Sequence, residues 1–148
     1  MKVLVTGSKD PYLEQEILAA SRFFGKELLS KQLIKHIHLE IIIVSTSPDL
    51  GNCCITYYND WYKAREFEIQ LKRKKSTNVM IQTLAHEMVH LKQFAMGELN
   101  DEHTRWKGCA INSEAIEYSD LPWEVEASSL EYILFAMYQE HKQQLLRS

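Results

Sequence analysis

The spacing of apolar residues changes several times along this chain, and each change marks an element. Val3-Leu4-Val5 is a short apolar run that reads as a first strand. From Pro11 to about Ile34, the residues Tyr12, Ile17, Leu18, Phe24, Leu28 and Leu29 recur near helical spacing. Pro11 suits the first turn of that helix and Asp10 its cap. Ile37 to Ser45 is dense in β-branched side chains and reads as a central strand. Pro48, Asp49, Gly51 and Asn52 mark a turn, after which Cys53 to Tyr58 forms another strand until Asn59-Asp60 breaks it. Glu66 to Lys72 alternates cleanly, with Phe67, Ile69 and Leu71 on one side and Glu66, Glu68, Gln70 and Lys72 on the other. That period predicts a half-buried strand suited to a sheet edge.

Thr77 to about Met96 returns to helical spacing, capped by Ser76 or Thr77 and ended by Gly97. Its apolar residues lie almost all round it, so the helix should be buried. Glu98 to Asp120 is irregular, with short strands expected near Trp106 and Ile116. Pro122 opens a last helix running to about Leu146. The order predicts an α+β fold in one domain spanning 1–148. An N-terminal helix and a short mixed sheet would pack on the helix Thr77–Met96, followed by a long C-terminal helix.

With 148 residues, 45% of them hydrophobic and 25% charged, the chain has enough apolar side chain for one core. The net charge of −3 gives no global attraction to nucleic acid or to an anionic membrane. The run Lys72-Arg73-Lys74-Lys75 is the local exception and reads as a solvated strand end. No apolar stretch approaches the ~18 residues of a membrane span, and Met1 to Asp10 does not resemble a secretory signal. Cys53, Cys54 and Cys109 are odd in number and lack C-x-x-C spacing, so free thiols in a cytoplasmic protein are expected. Thr6-Gly7 after the first strand does not open a dinucleotide-binding loop, because Ser8, Lys9, Asp10 and Pro11 follow.

The chemistry lies in His86-Glu87-Met88-Val89-His90, an H-E-x-x-H pentapeptide inside the buried helix. Residues four apart share a helix face, so His86 and His90 can offer imidazole nitrogens to one ion. Glu87 adjoins them as the candidate general base. A catalytic zinc ion takes three protein ligands and leaves one position open, so a third donor is needed. Glu124 is the first candidate, near the start of the last helix, with Ala127 one turn on and Glu131 and Leu134 continuing that stripe. Glu126 is the rival, displaced by roughly 200° around the helix, so the two cannot face the same ion. His103 is the third candidate, set against a plain role as a loop histidine beside Asp101 and Glu102. His36 and His38 are expected to share one polar face of a strand, and His141 receives no role.

These segments, with Gln93, Trp106-Lys107-Gly108 and Pro122-Trp123-Glu124-Val125-Glu126-Ala127, resemble the small zinc metallopeptidase-like domains of bacteriophages and bacteria described as SprT-like or gluzincin-type. The resemblance covers about Thr77 to Leu134. It implies a zincin-like fold, a Zn²⁺ cofactor and a glutamate third ligand in an E-x-x-A context, which Glu124 to Ala127 matches. SprT proper uses a downstream histidine, often in H-G-x-x-W; His103-Thr104-Arg105-Trp106 lacks the glycine. The metzincin pattern is excluded by Gln93 and Met96, and the cysteines cannot build a zinc-ribbon tail.

The expected activity is zinc-dependent hydrolysis of a peptide or protein substrate. Tyr118, His103 and Arg105 are all available to stabilise the oxyanion. The resemblance also implies an edge strand beside the site, for which Phe67 to Leu71 is the candidate, offered to an extended peptide. The alternative is a zinc-stabilised binding or regulatory module with little turnover. Association with nucleic acid is suggested only by the resemblance and by the Lys72–Lys75 run.

Overall fold

A computed structural model of the chain describes residues 1–148. The fold is α+β, as the patterning predicts. Four strands form one sheet: β1 (Lys2–Thr6), β2 (His38–Val44), β3 (Gly51–Tyr58) and β4 (Ala64–Lys72), in the order β1-β2-β4-β3. The first three neighbours run parallel and β3 lies antiparallel to β4. One face of the sheet is buried. Leu39, Ile41 and Ile43 of β2 and Phe67, Ile69 and Leu71 of β4 enter a single apolar core, while His38 and Glu40 face outward.

The helices cover that buried face. They are α1 (Pro11–Leu28), the short α2 (Lys31–Ile34), α3 (Thr77–Ala95) and α4 (Pro122–Arg147). Asp10 caps α1 by accepting from the amides of Tyr12 and Leu13, and Ser76 caps α3 by accepting from Val79. Gly97 follows α3 at φ 71°, the left-handed conformation that glycine adopts without strain. Arg65 ties β4 to the far end of α3, donating to the Ala95 carbonyl at 2.8 Å. A two-strand hairpin, β5 (Arg105–Trp106) with β6 (Cys109–Ala110), lies between α3 and α4. No helix is long and apolar enough to cross a membrane.

Four expectations change. The strand containing Phe67 to Leu71 is interior, paired with β2 on one side and β3 on the other, so the exposed edge beside α3 is β3. The predicted helix from Pro11 to Ile34 breaks at Leu29, where the backbone turns extended and Ser30 caps α2. His36 lies in the turn before β2, so only His38 is on the strand, exposed beside Glu66 at 3.7 Å. Ile116 follows a 3-10 turn, Ser113–Ala115, and is in no strand.

Candidate metal centre

Because α3 is buried on most of its circumference, its histidines open only onto a gap between α3, the start of β3 and the first turns of α4. The gap is a cleft of about 720 Å³. His86 and His90 project into it from successive turns, with ring centroids 4.9 Å apart. Glu124 reaches them from α4. Its Oε2 lies 3.1 Å from His86 Nε2 and its Oε1 2.8 Å from His90 Nε2. Tyr118 donates to Glu124 Oε1 at 2.9 Å.

The outward nitrogens are also engaged. His86 Nδ1 lies 3.0 Å from Glu131 Oε1, and Glu131 Oε2 accepts from Gln82. His90 Nδ1 lies 2.8 Å from Gln93 Oε1, whose amide nitrogen donates to the Trp123 carbonyl and to Glu126. Acceptors at both Nδ1 atoms favour the tautomer that leaves each Nε2 free as a ligand. Glu131 and Gln93 therefore hold the rings. The helical stripe from Glu124 through Ala127 was the signal for Glu131; Gln93, one turn after His90, entered only through the resemblance and with no role assigned.

Glu126 faces away from this point and joins Lys92, Glu98 and Lys107 in a peripheral ion-pair network. His103 is a loop residue, as read from the sequence, but its ring also lines the cleft wall. It stacks on Trp123 with centroids 5.7 Å apart and lies outside the donor group. Burial, then the neighbouring His90, lowers its pKa and keeps it neutral. Arg105 turns away, donating to the Gly108 carbonyl.

His86, His90 and Glu124 each offer one donor atom, and the three atoms lie within 4.8 Å of one another. Tetrahedral zinc with bonds of 2.0–2.1 Å needs donors about 3.3 Å apart. The three donor atoms, all within 4.8 Å of one another, reach that spacing by movements of about 1.5 Å or less, and each histidine Nε2 already lies within 3.1 Å of one Glu124 oxygen. Two imidazoles and a carboxylate also match the donor set zinc takes at catalytic sites. The residues fit the ion. Its charge would further offset the burial of two carboxylates, since Glu87 and Glu124 are only 6% and 5% exposed.

Glu87 is packed under β3 and accepts no hydrogen bond within the chain. Burial raises its pKa, against the opposing pull of His90 and His86. Glu124 goes the other way. Burial alone would raise it, but hydrogen bonds from His86, His90 and Tyr118 hold it well below the usual carboxylate range. Two glutamates in one cleft thus have opposite tendencies: Glu87 to hold a proton and Glu124 to stay ionised. Comparison with known proteins returns no match to a family model, a curated protein or a solved structure, so the site is read from its own geometry.

Proposed function

We propose that this chain is a zinc-dependent metallopeptidase in which His86, His90 and Glu124 hold the ion and Glu87 is the general base. One observation carries the reading. Two imidazoles from one helix and a carboxylate from another converge in a cleft, beside a second, buried carboxylate with no partner. When bound, the ion supplies Lewis acidity, lowering the pKa of water and polarising a carbonyl oxygen. Glu87 then accepts a proton and later donates it to the leaving amine, a task its raised pKa suits. Glu124 stays ionised as a ligand. Tyr118 and His103 line the cleft and are candidate neutral donors to a developing oxyanion. The outer edge of β3 offers free backbone groups to an extended peptide.

The donor group has three members and His103 is not one of them. That favours a hydrolase over a zinc-stabilised binding module, since structural zinc sites close with four protein ligands. A gluzincin-type kinship is proposed on the same footing, supported by Glu124 rather than His103 meeting the histidines; the same arrangement counts against SprT proper, with its downstream histidine. Nucleic-acid association has only the basic groove at Arg73, Lys74, Lys75 and Lys142 in its favour.

The test is Glu87→Gln. Zinc content by metal analysis should match the wild type, while cleavage of an unstructured protein should fall by about 10²–10⁴-fold. Undiminished cleavage would refute the general-base role.

A further inference from the structure

The walls of the metal cleft carry acidic side chains and no basic ones. Asp49, Glu87, Glu114, Glu124 and Glu131 all line it, and no lysine or arginine does. Asp49 and Glu114 are exposed, one in the turn before β3 and the other in the 3-10 turn Ser113–Ala115. One divalent ion would bring two positive charges to a cleft lined by five carboxyl groups, so the lining keeps an acidic excess. Glu87, 6% exposed and without a hydrogen-bonding partner in the chain, faces the same cleft and leaves it room for an occupant.

The acidic character continues along β3. Burial, then Glu68 and Asp101, pushes the Cys54 thiol up; burial, then Asp101 and Glu102, pushes the Tyr58 phenol up. Tyr57 and Tyr58 end the strand, and Trp61 and Tyr62 follow in the turn, 81% and 89% exposed. Aromatic faces attract cations, arginine and lysine above all. The chain's own basic groups are mostly held elsewhere. Arg73, Lys74, Lys75 and Lys142 line a separate groove, Lys92 and Lys107 are paired with Glu98 and Glu126, and Arg65 is turned onto the Ala95 carbonyl. Lys63 remains in the aromatic turn.

We propose that the cleft selects cationic polypeptide segments, in which lysine or arginine side chains flanking the bond at the ion lie against Asp49 and Glu114. The inference rests on the metallopeptidase reading and names its substrate class.

The test uses the zinc-loaded full chain and matched unstructured peptides whose flanking residues are lysine, glutamine or glutamate. Cleavage by the wild type is followed by mass spectrometry, and binding to the Glu87→Gln protein by fluorescence anisotropy. An exposed ion pair contributes about 1.4-fold to fivefold, so two carboxylates should favour lysine over glutamine by about twofold to twenty-five-fold. Asp49→Asn with Glu114→Gln should bring that ratio towards one, as should added salt. Cleavage or binding indifferent to flanking charge would overturn the proposal and leave the metallopeptidase reading standing. Lysine-selective binding without cleavage of any peptide would do the reverse, retaining the cationic docking site and removing the hydrolase. A ratio unchanged in the double variant would overturn the assignment to Asp49 and Glu114.

Discussion

Two carboxylates hold the His86 ring, Glu124 at Nε2 and Glu131 at Nδ1. Burial disfavours its charged form, but the bonds to Glu124 and Glu131, with the charge of Glu87, outweigh that and raise the pKa to about 9 in the metal-free protein. The folded value lies above the ordinary 6.5. The stabilisation is therefore complete below about pH 6.5 and is lost as pH rises through about 9. Zinc binding has the opposite slope, because the ion needs a neutral Nε2 and must displace that proton. Melting temperatures in chelator should fall between about pH 6.5 and 9, while the increment from zinc grows over the same interval. Glu131→Gln keeps an acceptor at Nδ1 but removes its charge. It should flatten the chelator series and weaken zinc binding by about 10–100-fold. A wild-type series that stays level with pH would exclude a charged His86.

At the scale of the element, β3 matters because it presses on α3 beside the site. A Cβ at Gly51 would lie 2.7 Å from Thr83 Cγ2, 3.1 Å from the Gln70 carbonyl and 3.2 Å from Glu87 Cγ. Gly51→Ala must therefore push the strand edge outward or shift Thr83 on α3, and either movement alters the packing against Glu87. The expected result is near-normal zinc content with hydrolysis reduced by about tenfold to a hundredfold, the effect of misplacing a reacting group by up to an ångström. Unchanged hydrolysis would show that Glu87 does not depend on this close approach. None of this was legible in the sequence, where Gly51 reads as one residue of a turn. The alternation of Phe67, Ile69 and Leu71 did report one buried face, but an interior strand has the same period when the sheet's other face is open. Its place between β2 and β3 is set by pairing between distant segments. The break after Leu28 was masked by apolar spacing that continues through Leu33 and Ile34; Ser30 as a cap was the local sign of it. By contrast α3 with its histidines and α4 with Glu124 were legible, because one-turn spacing and a proline start are local properties.

For the whole molecule, the proposed ligands join two helices that the chain separates by the irregular segment 96–121. On α4 the buried residues are Trp123, Glu124, Ala127, Leu134 and Tyr138. Apolar packing therefore holds the middle of the helix at Leu134 and Tyr138, while its first turns share their attachment between Trp123, Ala127 and the polar cluster at Glu124. Metal-free, that cluster is held by the contacts of His86 and His90 with Glu124 and by the Tyr118 bond; the proposed zinc would close it on the ion. A ligand that binds only the assembled state adds about 2.7 kcal/mol at a hundredfold excess over Kd. That increment should be lost first from openings that separate α4 from α3. Chelation should therefore speed amide exchange across Leu121 to Glu131 and the segment holding His103 and Tyr118, with little change in β2 and β4, whose core contacts do not involve the site. Equal acceleration in the sheet would mean that the ion supports global folding, the behaviour of a structural zinc site. No acceleration anywhere would remove the metal from the account, because a cation bridging α3 and α4 cannot leave without loosening the joint it makes.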